Sequence, residues 1–112
     1  MPSVTVNVSS EKELNVIKRI LPNLREMIAK ELSCKDRTLR KDEVSIRVFM
    51  PLTQLPIADV EVTIVAYSYP ERVKKQDDIC LAVKKFISSQ NSIFKSVFVW
   101  LQLSELGHSI EE

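Results

Sequence analysis

Pro2 is the residue whose type and position most directly suggest chemistry, because an initiator Met followed by a small residue is usually trimmed. Trimming would turn Pro2 into an N-terminal secondary amine. A free α-amino group titrates at about 8, and desolvation or nearby cations lower that value. An amine so tuned could act as a general base at neutral pH. A retained Met1 would instead make the Pro2 nitrogen an amide without useful basicity. Cationic groups come next. The stretch from Cys34 to Asp42 is dense in charge, with Lys35, Asp36, Arg37, Arg40, Lys41 and Asp42. It reads as a solvated connector, or as an anion-attracting rim if it faces a cavity. Arg47 stands apart from that loop, in the middle of an alternating stretch.

Holding the amine still falls to the residues that follow it. Val4, Val6 and Val8 alternate with Ser3, Thr5 and Asn7, the period-two pattern of a half-buried strand. Pro2 is tolerated there because a strand's first residue need not donate to the ladder. Ser10 and Glu13 form a capping-box pattern that opens a helix carrying Leu14, Ile17, Leu21, Leu24, Ile28 and Leu32 on one stripe. Pro22 should kink that helix. A second strand is expected over 43–50, with Val44, Ile46, Val48 and Met50 on one face and Arg47 and Phe49 on the other. The prolines Pro51 and Pro56 mark a connector, and a third strand follows over 59–67. Ser68 and Glu71 pattern a second capping box around Pro70, for a helix with Val73, Ile79, Cys80, Val83, Phe86 and Ile87 inward. A last strand is expected over 96–103, then a polar tail over 104–112.

The chain of 112 residues therefore reads as one domain made of two strand–helix–strand halves, 1–50 and 57–103. The expected fold is α+β, a tandem βαβ-βαβ with a four-stranded mixed sheet and two helices on one face. The opposite face would carry Thr5, Arg47, Phe49, Val65, Tyr67, Phe98 and Trp100. A monomer would leave those apolar groups wet, so the face predicts an oligomer packed sheet to sheet.

Composition removes several function classes. A net charge of +1 gives no reason to expect nucleic acid or a charged membrane as partner. A single glycine, Gly107, excludes glycine-rich phosphate loops. One histidine, His108, makes a histidine metal site improbable, and no cofactor is expected. Cys34 and Cys80 lack metal spacing. With a strand starting at once, no signal peptide is expected, and the thiols predict a reduced cytoplasmic protein.

Two superfolds share this order of elements, the ferredoxin-like sandwich and the tautomerase fold. Pro2 after Met1, the strand from residue 3, the long first helix and the doubled βαβ together resemble the tautomerase superfamily. That group includes 4-oxalocrotonate tautomerase, 5-carboxymethyl-2-hydroxymuconate isomerase and macrophage migration inhibitory factor. Small uncharacterised bacterial members are most similar, through Ala58-Asp59-Val60-Glu61-Val62, Lys75-Gln76-Asp77-Asp78-Ile79-Cys80-Leu81-Ala82 and Gly107-His108. The resemblance implies a homotrimer with active sites near subunit boundaries. There the N-terminal proline would shuttle a proton between carbon and oxygen of a 2-oxo or 2-hydroxy-dienoic carboxylate. Basic residues would grip the carboxylate, the candidates being Lys35, Arg37, Arg47 and Lys12. Arginine is chemically the better of these because it binds carboxylates through two parallel bonds. Tyr67 and Ser68 fall where that superfamily lines its pocket. Phe98 and Trp100 stand where macrophage migration inhibitory factor has a tyrosine and an asparagine, and neither replaces the lost groups. His108 is a candidate for the pocket mouth. The same resemblance also admits a catalytically silent trimer that binds a small acid or a protein.

Overall fold

The computed structural model describes residues 2–105. Four strands, β1 (Ser3–Val8), β2 (Ser45–Phe49), β3 (Val60–Tyr67) and β4 (Val97–Ser104), form one sheet in the order β2-β1-β3-β4. β2 runs parallel to β1 and β4 parallel to β3, while β1 and β3 are antiparallel at the centre. Each parallel pair is bridged by a helix, α1 (Glu11–Leu32) in the first half and α3 (Gln76–Gln90) in the second. The mixed sheet expected from the alternating pattern is the sheet observed. The ferredoxin-like alternative does not fit. That fold splits each βαβ unit with an intervening strand, whereas here the two parallel strands of each unit are direct neighbours.

Burial follows the alternation. Val4, Val6 and Val8 of β1 and Val60, Val62 and Ile64 of β3 are buried under both helices, as are Ile17, Leu24, Ile28 and Leu32 of α1. Each such side chain contributes about 1.5–3 kcal/mol on leaving water. That burial outweighs the cost of Pro22, about 3 kcal/mol in a helix interior, so α1 continues through the proline to Leu32. Glu11 and Glu13 in its first turn and Lys30 in its last complement the helix dipole.

Several local expectations are corrected. Ser10 is the N-cap of α1, but its hydroxyl bonds the Glu13 carboxylate rather than a backbone N–H. The second helix is two helices, α2 (Pro70–Lys74) and α3, separated at Lys75, where φ is −102° and ψ 11°. Tyr69, not Ser68, is the N-cap of α2. The break resets the helical phase, so Val73 lies exposed and Arg72 takes the buried position. Met50 lies beyond the end of β2 and is exposed.

Between β2 and β3 the chain forms an arm whose Gln54 side-chain amide donates to the carbonyls of Val8 and Ser9, at 3.3 and 3.2 Å. Anchored there, the arm leaves Leu52 and Leu55 wholly exposed. None of the helices among the described residues is long and apolar enough to cross a membrane.

Candidate functional site

Pro2 lies just before β1, an inner strand, and is buried. Its carbonyl accepts the N–H of Ser45 at 3.1 Å. The next residue, Ser3, is paired with Ser45 on one side and Val65 on the other. Two neighbouring strands thus hold a position that would fray at a sheet edge. The C-terminal ends of β3 and β4 meet at the same end of the sheet, with Tyr67 paired to Ser104. The end of α1 is fastened there too, because the guanidinium of Arg72 bonds both the Leu32 and the Tyr67 carbonyl.

The charged loop lies at this end, running from α1 to the start of β2. Ser33 organises its beginning, its hydroxyl donating to the Ala29 carbonyl at 2.8 Å and accepting from the Leu39 N–H at 2.9 Å. A short 3-10 turn, Lys41–Glu43, closes it. Its two arginines are engaged by its own acids. Arg37 pairs with the Glu43 carboxylate, and Arg40 with Asp42 at 3.2 Å. Asp42, first by a hydrogen bond and then by its charge, holds the Arg40 guanidinium above its usual value. Lys35 donates its backbone N–H to Glu71 at 3.3 Å, and Lys75 lies 3.5 Å from the same carboxylate. As a carboxylate clamp, Arg37 would first have to leave Glu43.

Two of these carboxyls carry the pH response of the loop. The Arg40 N–H, then the Arg37 side chain, hold Glu43 below the ordinary value of 4.5. The Lys35 N–H, then Lys75, do the same for Glu71. A carboxyl whose value is lowered by folding stabilises fully above its unfolded value and loses that contribution as pH falls through the folded one. Thermal melts should therefore show stability flat above about pH 5 and falling below it. Glu43→Gln is expected to flatten that fall, and equal slopes for variant and wild type would contradict the assignment.

Of the other cations, Arg47 is exposed and has no ion-pair partner among the described residues. Its neighbour across the β1 pairing is Thr5, so it lies about 10 Å along the sheet from Pro2, within partial reach of a long side chain. Lys12 lies in the first turn of α1, after the far end of β1.

The aromatic candidates divide. Tyr67 is at the Pro2 end. Trp100 pairs with Thr63 and Phe98 with Glu61. At ~3.3 Å per residue these rows lie about 13 and 20 Å further along β3 from Tyr67. One chain therefore does not bring Phe98 or Trp100 to its own Pro2. Both are exposed on the face opposite the helices, and the Trp100 indole donates to the Glu61 carboxylate at 2.9 Å. Ser68 follows β3 and donates its N–H to the Ser104 carbonyl. His108 lies outside the described residues.

Arg72 and Tyr69 are the residues of this end that the sequence reading passed over. The guanidinium carbon of Arg72 stands 4.9 Å from the centroid of the Tyr69 ring, which in turn is 4.9 Å from that of Tyr67. No local signal marks Arg72, because it stands in the last turn of the short α2, where a cation suits the helix dipole. Neither cysteine offers an alternative chemistry. Burial, then the charge of Asp77, pushes the Cys80 thiol up, away from the reactive thiolate, and Cys34 is buried. Among the described residues no group of three histidine, cysteine or acidic side chains is placed to hold a metal.

No family model matches the chain, and no curated protein matches it. Solved structures do. It is similar to a macrophage migration inhibitory factor-like protein from Entamoeba histolytica, at 12% identity and a TM-score of 0.63, over 94% of this chain and 88% of that one. A protein of unknown function from Vibrio cholerae matches at 10% identity and a TM-score of 0.70, over 98% and 84%. A 5-carboxymethyl-2-hydroxymuconate isomerase from Deinococcus radiodurans matches at 16% identity and a TM-score of 0.54, over 95% and 83%. With its unsplit βαβ pairs and its central antiparallel β1 and β3, the chain has the fold of the tautomerase superfamily.

Proposed function

We propose that this protein is a cofactor-free tautomerase or isomerase whose acid–base group is the amine of Pro2, exposed when Met1 is removed. Its substrate would be a small 2-oxo or 2-hydroxy-dienoic carboxylate. The observation that carries this reading is the burial of Pro2 at the start of an inner strand, with its carbonyl tied to Ser45. The neutral amine takes a proton from the carbon next to the carbonyl. The C–H electrons form the new double bond, and the carbonyl pair moves onto oxygen. The protonated amine then delivers that proton to the oxygen, and Pro2 is neutral again. Arg47, exposed and without an ion-pair partner among the described residues, would grip the carboxylate and stabilise charge on the enolate. Lys35 would supply further positive charge at that end, as would Arg37 once released from Glu43, and Tyr67 would form the near wall.

Three copies, packed through the open sheet face, would complete the site. Phe98 and Trp100, too distant within one chain, would come from a neighbouring subunit. The free thiols of Cys34 and Cys80 suit a reducing compartment such as the cytoplasm. The test is turnover of phenylpyruvate and of 2-hydroxymuconate by protein shown by intact mass to lack Met1, beside Pro2→Ala. We expect turnover that falls about tenfold in the variant, which keeps an amine but holds it less firmly. A free Pro2 with no turnover on either acid would remove the catalytic reading.

Two observations favour a second reading, a silent trimer that binds a small acid or a protein. Arg37 is engaged by Glu43, and neither Phe98 nor Trp100 can act as an acid at neutral pH. Binding of the same acids without turnover is its signature.

A further inference from the structure

We propose that Arg72 is a positioning residue, which sets the ring of Tyr67 at the Pro2 end through the intervening ring of Tyr69. The proposal rests on the reading of that end as the substrate site. Arg72 is 1% exposed, and a guanidinium so deeply buried is tolerated only where its charge and donors are used. Its Nε donates to the Leu32 carbonyl at 2.9 Å and its Nη1 to the Tyr67 carbonyl at 3.1 Å. A single planar group thereby ties the last turn of α1 to the last residue of β3. The Leu32 carbonyl is one of those that a helix end leaves without an intrahelical donor, so the same bond also closes α1.

The guanidinium then faces a ring. Its carbon is 4.9 Å from the Tyr69 centroid, within range of a cation–π contact. Tyr69 and Tyr67 follow at 4.9 Å with their planes tilted by 56°, an arrangement favoured between aromatic rings. The backbone repeats the constraint, since the Tyr69 N–H donates to the Tyr67 carbonyl at 3.0 Å and Pro70 follows at once. Tyr67 itself points to the open face, on the same side as Thr63 and Val65. Its ring is therefore backed by Tyr69, and Tyr69 is backed by a cation anchored in the core. A flat conjugated acid lying against Tyr67 would meet a wall whose angle is fixed. A 1 Å misplacement of such a wall is enough to change rate or affinity.

The two tyrosines of the chain are both in this stack, so labelling with 3-fluorotyrosine yields fluorine resonances from these rings alone. Tyr69→Leu removes the middle ring and leaves Arg72 with its two carbonyl bonds. In that variant the remaining resonance belongs to Tyr67. We expect it to narrow and move toward the position of free fluorotyrosine, with KM for a turned-over acid rising about tenfold. Arg72→Lys keeps the charge but loses the fork, and should shift the same resonance. A purely structural clasp behaves otherwise, because a smaller folded fraction lowers apparent kcat and leaves KM unchanged. An unmoved Tyr67 resonance and an unchanged KM in Tyr69→Leu would overturn the proposal, even if Arg72→Lys fails to fold. Should no acid be turned over at all, the catalytic reading fails while the fluorine spectrum still decides the role of Arg72.

Discussion

Protein that keeps Met1 ahead of Pro2 is expected to be slower than trimmed protein by about 10²–10⁴-fold in kcat/KM, the range of one lost acid–base group. The reason is electronic rather than structural. In a peptide bond the nitrogen lone pair is delocalised into the carbonyl, so a retained methionine leaves no base at this position. The fold is not disturbed, because Pro2 keeps its carbonyl bond to Ser45 and Ser3 keeps both strand partners. Trimmed and untrimmed forms should therefore melt together and bind a carboxylate product similarly, while only one turns it over. Pro2→Ala retains an amine on a more mobile backbone and should fall between them. Equal turnover by the two forms would show that the base lies elsewhere.

The second large effect concerns assembly. Trp100→Glu is expected to convert the proposed assembly of three chains into single chains of 12.9 kDa, read by sedimentation equilibrium. In the wild type the indole donates to Glu61 on the neighbouring strand, in a row that also holds Thr63, Thr5 and Arg47. The substitution sets a second carboxylate beside the first. On a solvated face, like charges across a strand pair cost only a fraction of a kcal/mol, so a lone chain should keep its circular dichroism. Within a packed interface the same juxtaposition costs several kcal/mol, and the subunits should part. A wild type already sedimenting as one chain would refute the trimer, and with it the supply of Phe98 and Trp100 to a neighbour's site. Leu52 and Leu55, wholly exposed on an arm pinned by Gln54, would suit burial in such an assembly.

What the sequence made legible was set by local periodicity. Val4, Val6 and Val8, and later Val60, Val62 and Ile64, alternate because one sheet face is buried, and a one-residue slip would put all of them in water. That pattern identified the strands, and the order of elements then left two topologies. Where the reading erred, the deciding physics was not periodic. A single helical phase across Lys75 would put Val73 inward, but the break there lets α2 and α3 choose their faces independently. The Ser68–Glu71 pattern suggested a capping box, yet Glu71 is drawn to the Lys35 backbone, a partner distant in sequence. Arg72 looked like one more basic residue among many. Its importance comes from the meeting of Leu32 and Tyr67, two chain segments that no local pattern relates. The loop cations suggest an anion site, and only the placement of Arg37 and Arg40 beside Glu43 and Asp42 shows those two already engaged.

The most direct test of the central claim is a titration of trimmed protein labelled with ¹⁵N-proline, following Pro2 by NMR beside the pH dependence of kcat/KM. Burial and the cations at this end of the sheet should place the Pro2 amine below the usual α-amino range of about 7.7–8.0. The ascending limb of the rate profile should share its midpoint. An amine that titrates within or above that range, or a limb that rises at a different pH, would contradict the account.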